Sequence, residues 1–135
     1  MHHEAVLNLA RRVDDPRSRV VIDDAKSFFA RGKERYDIIV SEPSNPWVSG
    51  VSSLFTEEFY ARLSNYLNEG GVLSQWLHTY EMDGPTLASI LKAMAKTFPD
   101  YVIYSTIDAD IVIIARKGGS AGTFQGEVLE WPKMR

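Results

Sequence analysis

One short segment concentrates the groups in this 135-residue chain that could carry proton-transfer chemistry. The stretch from Ser41 to Trp47 contains the carboxylate of Glu42, the amide of Asn45 and an indole. Its two prolines restrict the residues before them to extended or turn conformations, which keeps the polar groups in place. A carboxylate half-buried beside an indole could take a proton from an attacking amine. The alternative is that Glu42 caps loop backbone donors and Trp47 fills the core.

Two further polar residues come next to predicted strands. Asp24 follows the β-branched run Val20-Val21-Ile22, and Gln75 lies near the end of the apolar stretch from Val72 to Leu77. Asp24 could accept a hydrogen bond from the exocyclic amine of a ring-shaped ligand, or simply cap the following helix. Gln75 could bind a ligand through its donor and its acceptor, or bridge two buried backbone groups.

Other kinds of catalytic centre find little support in the sequence. His78 is the one histidine within the patterned region, so we expect a structural or surface role for it and neither a Ser-His-Asp set nor a metal site. The chain has no cysteine, which excludes thiolate chemistry and cysteine-ligated zinc. No G-x-G-x-x-G loop occurs in it.

Hydrophobic periodicity predicts alternating strands and helices. Four helices are expected: over 5–13, from the Asp24 cap to Gly32, from the Thr56 cap to the pair Gly70-Gly71, and from Asp83 to just before Phe98. The predicted strands are 20–22, 36–40, 72–77, 101–107 and 111–115, the last two forming an antiparallel hairpin.

This alternation indicates an α/β fold with a mostly parallel sheet and a C-terminal antiparallel hairpin. Ligands of such sheets bind at the carboxyl ends of the strands. We therefore expect three segments to meet at one edge of the sheet: Asp23-Asp24, 41–47 and 75–80.

The amino-acid composition is typical of a soluble globular domain. The balance of 15 basic and 18 acidic residues gives a net charge of −3, which argues against nucleic-acid binding. No apolar run approaches the roughly 20 residues of a membrane span, and no signal peptide is visible, so a cytoplasmic location is expected. One domain over residues 1–117 and an irregular tail over 118–135 are predicted.

The order of several strings resembles the spermidine synthase family. The strings are YDIIVSEPSNPW from Tyr36, Leu54-Phe55-Thr56, Phe59-Tyr60, Gly70-Gly71 and Gln75-Trp76. The similarity extends roughly from Val6 to Arg116. It is closest to a spermidine synthase-like branch whose members are often joined to membrane transporter segments.

The resemblance implies a Rossmann-like fold of the AdoMet-dependent transferases. Family enzymes of polyamine biosynthesis move an aminopropyl group from decarboxylated AdoMet to putrescine, without a metal. Asp24 and Ala25 match the family pair that contacts the adenine side of the nucleoside. Glu42 matches the catalytic aspartate that helps deprotonate the amine, while Asn45 and Gln75 match substrate-binding positions.

Departures from the family pattern favour a changed activity. Glu42 is one methylene longer than aspartate, and Asn45 lacks the charge that would pair with an ammonium group, so another acceptor or an AdoMet-dependent methyl transfer becomes plausible. The family's Pro-Thr-Tyr loop is replaced by the turn at 107–110. The family's glycine-rich loop and its acidic strand end would precede Ala5. We therefore expect a truncated fold with weak or no activity alone, and a non-catalytic fragment or interaction module is the further alternative.

Such a truncation would also leave strand edges uncovered. In the family's strand order the missing strands lie between the strands at Val20 and Tyr36, and unpaired edges are rarely tolerated. The sequence therefore predicts either rearranged pairing of these two strands or a homodimer that shares its sheet edges.

Overall fold

A computed structural model describes residues 15–43, 45–80, 82–105 and 110–122 of the chain. The predicted helix over 5–13 and most of the tail lie outside these residues. The elements, in chain order, are α1 (Ala25–Arg31), β1 (Tyr36–Ser41), a 3-10 helix (Ser52–Phe55), α2 (Glu57–Tyr66), β2 (Leu67–His78), α3 (Gly84–Ala95), β3 (Tyr101–Ser105) and β4 (Asp110–Arg116).

The described strands form a four-stranded mixed sheet in the order β1-β2-β4-β3. β1 runs parallel to β2, and β2–β4 and β3–β4 are antiparallel. The C-terminal antiparallel pair is therefore confirmed. The expectation of a mostly parallel sheet is wrong for the described strands, because only one of their three pairings is parallel.

The three α-helices begin at the residues that the sequence predicts as caps. Backbone N–H groups of the first turn donate to the side chains of Asp24, Thr56 and Asp83, which satisfies donors that have no partner inside the helix. Pro85 in the first turn of α3 needs no amide hydrogen there. These local contacts explain why the starts of the helices could be read from the sequence.

The predicted strand at Val20–Ile22 does not form. These residues pair with no described strand, and Ile22 is 99% exposed. A strand is held by hydrogen bonds to a neighbour, and β1, the nearest strand along the chain, is paired with β2 alone among the strands described. A β-branched run without such a partner stays irregular. The predicted pairing between the run at Val20 and β1 is therefore also wrong.

The predicted helix C-cap at Gly70-Gly71 is also wrong. α2 ends at Tyr66, and both glycines lie inside β2. Gly70 has a φ of +77°, and a Cβ on Gly71 would lie 2.8 Å from the carbonyl oxygen of Asn68. The pair thus supplies a backbone irregularity and a close approach where the β1–β2 register shifts, between Tyr36 and Ile38.

Burial alternates along β2 and divides the sheet into two faces. Leu73, Gln75 and Leu77 are buried, and Ser74, Trp76 and His78 are partly exposed. The buried face packs against α2 and α3. Its apolar core consists of Ile39, Phe55, Phe59, Tyr60, Leu63, Leu67, Leu73, Leu77, Ile90, Met94, Phe98, Ile113 and Ala115.

β1 is an edge strand of the described sheet, and its side chains Ile38 and Val40, on the face opposite the buried Ile39, are 64% and 68% exposed. The homodimer prediction depends on an unpaired strand edge such as this one, and it stays a prediction. Within the described ranges, no helix combines the length and the apolar character that crossing a bilayer requires.

Tyr60 provides a test of how the core is packed. Its side chain is fully buried, burial raises the pKa of its hydroxyl, and that hydroxyl has no hydrogen-bond partner among the described residues. Because Tyr60→Phe removes an unsatisfied polar atom, we expect the free energy of unfolding to stay unchanged or rise by about 1 kcal/mol. Urea denaturation measures this change.

Leu63→Ala serves as the control, since a cavity at this buried residue should cost about 2–5 kcal/mol. A loss of more than 1 kcal/mol in Tyr60→Phe would show that the hydroxyl is hydrogen-bonded after all.

Candidate functional site

The sheet brings the ends of β1 and β2 and the start of β4 together at the carboxyl ends of the parallel strands. β1 ends at Ser41, which is opposite Gln75 in the parallel register. β2 ends at His78, which is opposite Asp110, the first residue of β4. The loop after β1 and the residues after β2 therefore leave the sheet on the same side, as the sequence predicts for 41–47 and 75–80.

A cavity of about 260 Å³ lies beside the end of β1. Ser41 and Glu42 line it, and so does Ala25 from the start of α1. Two of the predicted site residues, Ala25 in α1 and Glu42 after β1, thus line the same cavity. The remaining lining residues are Phe29, Ile39, Val40, Pro43, Leu54, Phe59 and Leu63.

The size and character of this cavity suit part of a ligand. Its volume is below the roughly 300–1,000 Å³ of sites that enclose a whole drug-sized molecule. The largely apolar and aromatic lining, with Glu42 as its one carboxylate, would suit a flat, partly apolar group.

Glu42 and Trp47 differ from the sequence expectation. Glu42 is exposed and Trp47 is 46% exposed, so the carboxylate is not half-buried and the indole does not fill the core. Trp47 lines a separate, larger cavity of about 710 Å³ between its own loop, the start of α2 and α3. A backbone hydrogen bond from Val48 N–H to the Asn45 carbonyl closes the turn that contains Trp47.

Asp24 caps α1 through Oδ1, which accepts from the backbone N–H of Ser27 at 2.9 Å. This hydrogen bond, the largest influence on the group, lowers the pKa of the Asp24 carboxyl below its ordinary value of 3.8. The cap contribution is thus present above that value and is lost as the pH falls through the folded-state pKa. Asp24 itself is exposed, so the capping role is confirmed and the carboxylate still meets solvent beside Ala25.

Gln75 is fully buried at the base of the site edge. Its Nε2 donates to the carbonyl oxygens of Ser41 (3.2 Å) and Trp76 (3.1 Å), which ties the end of β1 to β2. Its Oε1 is buried without a hydrogen-bond partner among the described residues. In this arrangement Gln75 acts as a bridge next to Glu42, and its orphaned oxygen is one group that a ligand or water could satisfy.

The structure adds a cluster that the sequence analysis missed. Nδ1 of His78 lies 2.6 Å from Oδ1 of Asp110, and the ring contacts those of Trp76 and Tyr80. Asn45 Nδ2 donates to the Tyr80 hydroxyl at 3.4 Å, which joins the predicted loop to this cluster. His78 and Asp110 are 32 residues apart, and only the cross-strand register could have indicated their contact.

Solved structures with similar architecture define the class of fold. A spermidine synthase from Thermotoga maritima superposes with a TM-score of 0.74 over 96% of this chain and 45% of that chain, at 23% sequence identity. Human methyltransferase-like protein 13, solved with SAH, gives a TM-score of 0.70 over 95% of this chain and 62% of that one, at 16% identity. The chain has the spermidine synthase and methyltransferase fold over part of those proteins.

Sequence comparison then identifies the family. Residues 1–112 match the spermine/spermidine synthase domain, and the chain belongs to that family. Polyamine aminopropyltransferase 1 of Pseudomonas aeruginosa is 47% identical over 60 residues, and a polyamine aminopropyltransferase of Pectobacterium atrosepticum is 44% identical over 59. These alignments cover 44% of this chain but only 21% and 20% of the two relatives. The family resemblance in the sequence is thereby confirmed.

Because Gln75 is fully buried, we expect Gln75→Glu to lower the free energy of unfolding in a pH-dependent way. A carboxylate there would face the two carbonyl oxygens that now accept from Nε2, and burial would raise its pKa above the ordinary value for glutamate of about 4.3. We expect a loss of about 3 kcal/mol in the free energy of unfolding at pH 7, which shrinks as the pH falls toward 4.

Gln75→Met is the matched control because it loses the same hydrogen bonds without adding a charge, so its deficit should not change between pH 7 and 4. Equal stability of Gln75→Glu and the parent chain at pH 7, in urea denaturation, would show that solvent reaches the side chain.

Proposed function

We propose that this chain carries parts of the donor and acceptor sites of a transferase that moves an aminopropyl or related group from decarboxylated AdoMet or AdoMet to an amine. The family assignment and the partial fold match support this proposal. The solved relatives include a spermidine synthase with the transition-state analogue AdoDATO, which matches at a TM-score of 0.78 and 23% identity over 46% of that chain. The string from Ser41 to Trp47 supports placement in the branch whose members are often joined to transporter segments.

The observation that carries the proposal is the cavity shared by Ala25 and Glu42. A nucleoside whose adenine side lies against Asp24 and Ala25 would extend along an aromatic and aliphatic wall toward Glu42. Asp24 can accept from the exocyclic amine while it caps α1, because a carboxylate has two oxygens and several acceptor positions. Glu42 lines the cavity and is exposed, so it is accessible to a cationic acceptor.

Glu42 would attract the ammonium form of the acceptor and help to remove its proton. The free amine nitrogen then attacks the carbon bound to the sulfonium sulfur. The N–C bond forms as the C–S bond breaks, its electron pair goes to sulfur, and the product nitrogen keeps its two remaining protons as a secondary ammonium group. Gln75 and Asn45 keep the two ends of the Glu42 loop in place through Ser41 and Tyr80.

Methyl transfer to an amine is the second candidate. Asn45 carries no charge to pair with a second ammonium group, which favours an acceptor other than a diamine. The likeness to a methyltransferase fold is compatible with it. The two candidates differ in the donor that is consumed, so an assay with AdoMet and decarboxylated AdoMet in parallel separates them.

Donor binding is tested by thermal-shift titration with methylthioadenosine, AdoMet and decarboxylated AdoMet. A ligand at a hundredfold excess over its Kd stabilises the native state by about 2.7 kcal/mol, so the melting temperature should rise. Asp24→Ser keeps a capping side chain but loses the carboxylate, and we expect it to weaken this rise.

Asp83→Ser is the matched control, since it makes the same change at the cap of α3 and should leave the ligand-induced rise intact. If none of the three nucleosides raises the melting temperature, the described half of the fold does not bind the donor, and the chain acts as a fragment or interaction module.

Transfer itself is tested with Glu42→Gln. Loss of a proton-accepting side chain typically costs about 10²–10⁴-fold in rate, so mass spectrometry should detect correspondingly less product from putrescine and decarboxylated AdoMet. The exposed position of Glu42 means that the folding transition should be unchanged. Undiminished transfer in this variant would remove Glu42 from the mechanism.

A further inference from the structure

A basic groove lies at the end of the sheet opposite the candidate site. Residues 26–35 contain four basic residues and one acidic residue, a local charge of +3 in a chain whose net charge is −3. Arg35 immediately precedes β1, whereas Glu42 immediately follows it. At about 3.3 Å per residue, the strand separates these two residues by roughly 20 Å. The groove therefore has no part in the function proposed above.

The groove is a cavity of about 390 Å³ between the loop that enters β1 and the last turns of α1 and α2. Lys33 and Arg35 line it from the loop, and Arg62 and Asn65 line it from α2. All four residues are exposed. Two guanidinium groups, an ammonium group and an amide thus present N–H donors to one volume.

The positive charges of the groove are not neutralised by the described part of the chain. Its one carboxylate is that of Glu34, whose Oε1 lies 3.6 Å from Arg19 Nη1 and whose Oε2 accepts from the Tyr36 hydroxyl at 3.1 Å. Among the described residues, the side chains of Lys33 and Arg35 form no ion pair or hydrogen bond. The groove thus retains a net positive charge that a bound anion could neutralise.

Two hydrogen bonds hold the two sides of the groove together. Arg62 Nη1 donates to the backbone carbonyl of Lys26 in α1 at 3.4 Å. The Tyr66 hydroxyl donates to the carbonyl oxygen of Gly32 at 2.6 Å, which ties the start of the loop to α2. The cations of the loop and of α2 are therefore held side by side before a ligand binds, which lowers the entropic cost of binding.

The dipole of α1 does not account for these cations. Arg31, in the last turn of α1, already places a positive charge at that helix end, and it pairs with Asp23. Lys33 and Arg35 lie beyond the Gly32 cap. The effect of a helix dipole falls off within the last turn, so these two charges need another explanation.

We propose that this groove binds a polyphosphate group, with Arg35 and Arg62 donating to its oxygens and Lys33 adding a third positive charge. Guanidinium groups bind phosphate oxygens in a bidentate way, and a lysine ammonium group binds them as a point charge. Three cations exceed the charge of a single carboxylate and match the several charges of a diphosphate or triphosphate. The volume lies within the roughly 300–1,000 Å³ of small-molecule sites.

The test is isothermal titration calorimetry of the full chain with sodium triphosphate at constant ionic strength, because added salt would otherwise screen the surface charges. We expect saturable binding to one site with a Kd below about 1 mM. Sodium sulfate offers one tetrahedral dianion and should bind at least tenfold more weakly.

A second titration, with CTP, identifies the source of the polyphosphate group. CTP carries a triphosphate on a nucleoside that lacks the adenine expected at the donor site. Tighter binding of CTP than of triphosphate would assign the groove to nucleotides, and equal binding would assign it to inorganic polyphosphate.

Variants locate the binding in the groove. Arg35→Gln and Arg62→Gln each remove a guanidinium group from an exposed position, so we expect at least tenfold weaker binding of triphosphate and an unchanged thermal unfolding transition. Arg35→Lys keeps the charge but loses the bidentate donor and should show an intermediate loss. Lys92→Gln is the matched control, since it removes an exposed cation from the last turn of α3, outside the groove.

Three results would overturn the proposal. They are the absence of saturable binding up to about 10 mM triphosphate, equal affinity for sulfate, and an equal loss of affinity in Lys92→Gln, which would indicate diffuse attraction to surface charge. Glu42→Gln, at the other end of β1, should leave triphosphate binding unchanged. The polyphosphate groove and the transferase proposal are therefore confirmed or overturned by separate measurements.

Discussion

The hydrogen-bonded pairing of β2 with two neighbouring strands organises both the core and the candidate site. β2 lies parallel to β1 on one side and antiparallel to β4 on the other. This pairing sets the alternation that buries Leu73 and Leu77 under the helices, and it brings the ends of β1 and β2 beside the start of β4. One strand thus forms the centre of the core and the base of the candidate site.

Gln75 belongs both to the buried face of the sheet and to the candidate site. Gln75 occupies a buried position in β2 where an apolar side chain would cost nothing in hydrogen bonds, and one of its polar atoms has no partner among the described residues. The Nε2 of the same amide donates to the backbone carbonyls of Ser41 and Trp76. In the proposed function, this buried amide would help to position the loop that carries Glu42, at the cost of some stability.

In the proposed function, Asp24 would serve both the start of α1 and ligand recognition. Asp24 satisfies a backbone donor at the start of the helix and is exposed next to Ala25, which lines the cavity that contains Glu42. Capping and ligand recognition both need an acceptor at a fixed position. The cap interaction would hold the carboxylate in one orientation before a ligand binds, which would reduce the entropic cost of binding.

Features that depend on neighbours along the chain could be predicted from the sequence: the helix starts at Asp24, Thr56 and Asp83, the terminal antiparallel pair and the family to which the chain belongs. Features that depend on partners distant in the chain could not. Val20–Ile22 has strand-forming residues but no strand beside it, and Gly70-Gly71 belongs to β2 because of its pairing with β1. His78 meets Asp110 through the register of two strands, and no local pattern encodes a contact made across a sheet.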